Sequence, residues 1–238
     1  DGSFFIEVEA GPYTAYYSYP MYFSRQLDSL RIYTSPIHLP DVIMSRRTEK
    51  KKYLVPDEIQ FIQQAIDLSV PGDTILVRPG LYRENLDFKG KRDIIVGSFF
   101  ITNGDTSYIS QTVIDGNKKA HVVSFSSGED STVALTGMTI RNGGMDYEDG
   151  VKYGERDFLG AGIFCLNSSP RLEHLIIREN IMNNNYPMAD PYYGSGGGIY
   201  CENAHPVIDR IYFYNNLTKA GGSIYCTNKS NPNITNIV

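Results

Sequence analysis

Three stretches of the chain spell the same pattern. GAGIFCLNSSPRLEHLIIREN runs from Gly160 to Asn180, GGGIYCENAHPVIDRIYFYNN from Gly196 to Asn216, and GGSIYCTNKSNPNITNIV from Gly221 to Val238. Cys201 and Cys226 are 25 residues apart and Cys165 and Cys201 are 36 apart, the surplus of 11 falling in the loop around NNNYPMADPYYG, Asn183 to Gly194. A period of about two dozen residues, made of short strands and turns, is a solenoid signature. One coil of such strands cannot bury its own apolar face. Coils stacked at about 4.8 Å bury it against each other and place identical residues in rows.

Each copy reads the same way. Ile199 and Cys201 alternate with Tyr200 on a short strand, Asn203 and Pro206 make a turn, and Ile208, Ile211 and Phe213 point inward from a second strand that ends at Asn216. The earlier copy supplies Ile163, Cys165, Asn167, Pro170, Leu172, Leu175, Ile177 and Asn180, and the last supplies Ile224, Cys226, Asn228, Pro232, Ile234 and Ile237. A looser copy, STVALTGMTIRNG, puts Leu135, Met138 and Ile140 in the inward places. Inward Asn at a turn is expected to bond the next Asn along the stack. The glycine runs let the chain bend where a Cβ would collide. The three cysteines share one place in the pattern and are odd in number, so a buried stack is expected rather than a disulfide framework or a metal site.

Upstream, VPDEIQFIQQAIDLSVPGDTILVRPGLYRENLDFKGK spans Val55 to Lys91. Ile59, Ile62, Ala65 and Ile66 form an apolar stripe at helical spacing, with Asp57 placed to cap the helix and Pro71-Gly72 to stop it. This helix, the G-D-T turn, the strand Thr74 to Val77, the P-G-x-Y segment and the E-N turn resemble the opening segment of the right-handed parallel β-helix repeat family, the pectin-lyase-like superfold. The resemblance covers residues 55–238 and extends to secreted β-helix proteins of Bacteroidota-type bacteria. It implies an all-β, right-handed parallel β-helix (solenoid) with a short N-terminal capping α-helix, which is expected to lie across the open end of the coil stack and cover the core and a first strand edge at Thr74 to Val77, and an extracellular or cell-surface location. Residues 1–54 lack the repeat and read as a β-prone extension or cap, with RRTEKKK, Arg46 to Lys52, as a solvated basic linker. No closing segment is evident before Val238, so the domain 55–238 is expected to be truncated, its last coil covered by further coils or by another β-helix copy stacked head to tail.

A net charge of −5 argues against nucleic acid, and no apolar run is long enough to span a membrane. Chemistry is expected in loops. Asn142 to Gly160 holds Asp146, Glu148, Asp149, Glu155 and Asp157 beside Lys152 and Arg156. Polysaccharide lyases of the superfold use a cation held by carboxylates and a basic residue that abstracts a proton. That resemblance makes Asp146, Glu148, Asp149 and Asp157 calcium candidates and Asp149, Lys152 and Arg156 catalytic candidates. The loop carries no EF-hand spacing and no transferable lyase motif, so the reading leans away from an enzyme and needs no cofactor. Tyr186, Asp190, Tyr192 and Tyr193 of the second loop suit a polysaccharide or cell-surface glycan, since sugar rings stack on tyrosine faces. Tyr200, Tyr212, Tyr214 and Tyr225 point outward and read first as ordinary strand-surface tyrosines, with extension of such a platform as the alternative, and Glu173 and Asp209 fall in equivalent places as a surface row. His174 and His205 are out of register and make no metal pair. The N-x-S/T matches at Asn167, Asn216, Asn228 and Asn233 read as products of turn chemistry. The reading is therefore a structural or adhesive surface protein; a lyase or hydrolase working through the 142–160 loop and a filament subunit are the alternatives.

Overall fold

The structure, a computed structural model, describes the backbone of residues 11–19 and 22–32, and residues 49–144, 159–182 and 194–238 in full. The chain forms two compact units, Asp1–Glu49 and Lys50–Val238. In the first, β1 (Gly11–Tyr19) and β2 (Tyr22–Ile32) pair antiparallel from Gly11↔Ile32 to Tyr19↔Tyr22.

The second unit is mostly β, and all its strand pairs are parallel. It opens with β3 (Lys52–Val55), α1 (Ile62–Leu68), β4 (Thr74–Val77), β5 (Gly80–Tyr82), β6 (Leu86–Asp87) and β7 (Ile95–Ser98). Two short helices, α2 (Phe100–Asn103) and α3 (Ser107–Gln111), precede β8 (Thr112–Asp115), β9 (Val123–Phe125) and β10 (Ala134–Arg141). The repeats supply β11 (Ile163–Leu166), β12 (Arg171–Arg178), β13 (Ile199–Glu202), β14 (Val207–Tyr214), β15 (Ile224–Thr227) and β16 (Asn233–Ile237). One sheet runs β16-β14-β12-β10-β7-β4-β3, with β8 pairing β10 and β5; the other runs β15-β13-β11-β9-β6.

The repeats pair in register. Cys165 lies opposite Cys201 and Cys201 opposite Cys226, so the 11 extra residues of the longer copy fall outside the strands. Leu172, Ile208 and Ile234 form one row, and Leu175, Ile211 and Ile237 another. Leu135, Met138, Ile140, Leu172, Ile177 and Ile208 are fully buried in one core that extends from Tyr53 to Ile211.

The inward spacing of three, then two, residues has a specific cause. Gly137, His174, Arg210 and Asn236 all adopt positive φ, at 72°, 52°, 53° and 51°. Each sits in mid-strand and bends it, so Leu135 and Met138 both face inward although three positions apart. The strands thus turn a corner together, in a row.

The N-terminal end differs from the sequence reading in two ways. Phe61 occupies the N-cap of α1 without a side-chain bond, and Glu84 supplies the cap from another segment by accepting from the N–H groups of Ile62 and Gln63 at 3.0 and 2.9 Å. Asp57 instead pairs with Arg78 at 2.6 Å. The edge strand is β3, to which the basic run contributes Lys52, so Thr74–Val77 is an interior strand. Helix α1 packs against β3, β4 and β6 through Ile62, Ala65 and Ile66.

Candidate functional site

The residues singled out in the two loops lie outside the described residues: Asp146, Glu148, Asp149, Lys152, Arg156 and Asp157 in the first, and Tyr186, Asp190, Tyr192 and Tyr193 in the second. The described part presents a different surface, the outward side of β10, β12, β14 and β16.

This strip has three parts. On the first limb, Thr136, Glu173, Asp209 and Thr235 form one row. Asp209 accepts from Thr235 Oγ1 at 2.7 Å and Asn236 Nδ2 at 2.8 Å, and it pairs with Arg210. The Thr235 and Asn236 hydrogen bonds, helped by Arg210 and His174, hold the Asp209 carboxyl below the usual carboxylate range. A glycosidase acid needs the opposite shift. Asp209 is therefore tuned to accept hydrogen bonds and not to donate a proton.

At the corner, the His174 ring packs on Phe100, with centroids 4.6 Å apart. Residues 99–111 rest on the outside of β7 and β10: Thr139 Oγ1 donates to the Ile109 carbonyl, and a side chain at Gly137 would strike Phe100. This segment forms a wall beside the strip, and the wall ends at β12.

On the second limb, Arg141, Arg178 and Tyr214 share a row, with Ile176 and Tyr212 beside it. Tyr212 is 47% exposed and lies 5.6 Å from Tyr214, centroid to centroid. The Arg178 guanidinium sits 5.7 Å over the Tyr214 ring and pairs with Glu179 at 2.5 Å. Arg141 Nε pairs with the buried Asp115 at 3.0 Å, and Asn142 donates to the same oxygen at 2.8 Å. Arg178 and Arg141 escaped the sequence reading. The signal was present, since TIRNG and LIIREN place Arg at the same point of two copies.

The other two tyrosines serve a different purpose. His121, Phe164, Tyr200 and Tyr225 stack in a row, with successive centroids 4.6, 5.6 and 5.8 Å apart and planes within 9°. Tyr200 is 3% exposed, packed with Leu159 and Phe164 in a second apolar cluster outside the main core. It faces away from the core yet offers no open platform. Its hydroxyl donates to Glu202 at 3.1 Å.

The cysteine row is unbridged, with Cys165 and Cys201 buried and Cys226 exposed. Thiol–thiol contact and burial push Cys201 and Cys226 far above the ordinary thiol range. Among the described residues, no three His, Cys, Asp or Glu side chains come together as a metal site. No helix among them is long and apolar enough to cross a membrane.

No family model matches the chain, and neither does any curated protein. A crystal structure of the pectin methylesterase from Aspergillus niger, in deglycosylated form, is similar at a TM-score of 0.30 and 14% identity, over 71% of this chain. The chain spans 57% of that protein's length. A likeness this distant leaves function to be argued from the chain's own surface.

Proposed function

We propose that residues 55–238 form a right-handed parallel β-helix that serves as a secreted or cell-surface scaffold and contacts glycans along its outward strip. The observation that carries this is the second limb. Tyr212 and Tyr214 lie side by side on β14, with Arg178 held over Tyr214. Tyrosine faces stack on sugar rings, and a guanidinium held by neighbours donates to hydroxyls or carboxylates at little entropic cost. The strip runs across strands in register, so a chain-like ligand lying along it meets Arg178 on one copy and the Tyr212–Tyr214 pair on the next. The loops at 142–160 and 183–194, with their acids and tyrosines, are proposed as additional contacts, with calcium as the cation the first loop would take.

The test is binding of the chain to a panel of neutral and acidic polysaccharides by affinity electrophoresis, with product analysis on the same samples. Retardation by at least one polysaccharide, lost in the Tyr212→Ala/Tyr214→Ala double variant, is the expected result. No retardation by any polysaccharide overturns glycan contact. Release of unsaturated or reducing products, abolished in Lys152→Ala, replaces the scaffold reading with the lyase or hydrolase one.

A further inference from the structure

We propose that the first limb of the strip, at Arg171 and Glu173 of β12, is a subsite for a neutral, hydroxyl-bearing sugar unit, so that the glycan this surface takes is an uncharged one. The inference rests on the glycan reading above and narrows it to a substrate class.

β12 is an interior strand, paired with β10 on one side and β14 on the other. Leu172 is buried in the core, so Arg171 and Glu173, on either side of it, face outward together. Two residues of rise place them about 6.6 Å apart along the strand. These opposite charges are nevertheless unpaired. Among the described residues, neither side chain forms a hydrogen bond or an ion pair, and the Arg171 Nε is buried without a partner. No acceptor of the described chain therefore competes with a ligand for this guanidinium.

The other charges of the strip are already matched. Arg141 pairs with Asp115, Arg178 with Glu179 and Arg210 with Asp209. Asp209 lies opposite Glu173 on the next strand and also accepts from Thr235 and Asn236. The wall from Phe99 to Gln111 carries Asp105 and no lysine or arginine. With Arg171 balanced by Glu173, the described strip holds no cation in excess.

That balance selects the ligand. A carboxylate or sulfate drawn to Arg171 meets the Glu173 carboxylate beside it and Asp209 in the next strand, and like charges at this spacing repel. A cation drawn to Glu173 meets Arg171. A hydroxyl accepts from a guanidinium through its oxygen and donates to a carboxylate through its hydrogen. A sugar ring with hydroxyls on neighbouring carbons therefore satisfies both residues together and brings no charge to be repelled.

Affinity electrophoresis of the 238-residue chain tests this, in gels holding a neutral polysaccharide (glucomannan, arabinoxylan or mixed-linkage glucan) or an acidic one (polygalacturonate or alginate). Retardation by a neutral gel and by no acidic gel is expected, with affinity falling about tenfold in Arg171→Ala and in Glu173→Ala. Glu173→Gln leaves the Arg171 charge unmatched and is expected to gain retardation by the acidic gels. Far-ultraviolet spectra check that the variants fold, and Arg171→Gln replaces an alanine variant that does not. Retardation of the unaltered chain by acidic gels, alone or alongside neutral ones, overturns the neutral subsite and leaves glycan contact standing. Neutral retardation that survives loss of both Arg171 and Glu173 also overturns the subsite. No retardation in any gel overturns glycan contact, and this inference with it.

Discussion

Asn180 and Asn216 hold each other across adjacent repeats. The Asn180 side-chain amide donates to Asn216 Oδ1 at 3.0 Å, and the Asn180 backbone N–H reaches the same oxygen at 3.2 Å. Asn180 also donates to the Ile140 carbonyl and accepts from Gly143 N–H, while Asn216 donates to the Ile177 carbonyl. One fully buried side chain thus serves backbone groups of the preceding repeat and an amide of the next.

Replacing Asn180 with Ala leaves these groups buried without partners, at a cost of about 2–4 kcal/mol. Asn216→Ala, in a less buried place, costs less. Chemical denaturation followed by circular dichroism gives both values, and equal losses would contradict the ordering.

Gly143 lies where a Cβ would come 1.8 Å from the Ala161 carbonyl oxygen, a backbone atom. No rotamer relieves that contact, so Gly143→Ala is expected to abolish folding of the repeats. At Gly222 the nearest atom is Asn216 O at 3.2 Å, and Gly222→Ala is expected to leave a folded protein. The far-ultraviolet spectrum and melting of the two variants separate them.

Arg141 and Arg210 both form ion pairs, with opposite stakes. Asp115, the partner of Arg141, is 4% exposed. Arg141→Ala removes the charged partner of that carboxylate, leaves it only neutral donors such as Asn142, and is expected to cost about 3 kcal/mol. The Arg210 side chain is 56% exposed, and Arg210→Ala is expected to leave the melting temperature unchanged.

Asp209 gives the last strand an acid limit. Its carboxyl is held below the ordinary range by Thr235 and Asn236, so the folded form binds a proton less tightly than the unfolded chain. The stabilisation is complete above the unfolded pKa of about 3.9 and is lost as pH falls through the lower folded value. Hydrogen exchange of the β16 amides is expected to accelerate in that window, and Asp209→Asn is expected to remove the acid dependence.

The cysteine row predicts slow thiols. With Cys201 and Cys226 pushed above the ordinary range, little thiolate exists at neutral pH, and thiolate is the reactive form. In the native protein, iodoacetamide is expected to modify Cys226 alone, more slowly than a free thiol, with a rate still rising above pH 9. Denaturant is expected to expose all three. Rapid native labelling of Cys165 or Cys201 would contradict the burial.

Much of this protein was legible in the sequence. The repeated Ile, Cys and Asn revealed the rows, because parallel strands in register place equivalent residues side by side. Leu135, Met138 and Ile140 could be named as core from spacing alone. The mid-strand bend was written there as well, in the three-then-two spacing, but its cause became visible only through the shared positive φ of Gly137, His174, Arg210 and Asn236. Tertiary structure alone decided the rest. Glu84, not Asp57, caps α1, because chain path rather than sequence distance brings a carboxylate to the open N–H groups. Tyr200 faces away from the core and is nevertheless covered, since alternation fixes the side of a strand but not what lies on that side. The Tyr212–Tyr214–Arg178 surface exists only where adjacent repeats meet, so no single copy of the pattern contains it.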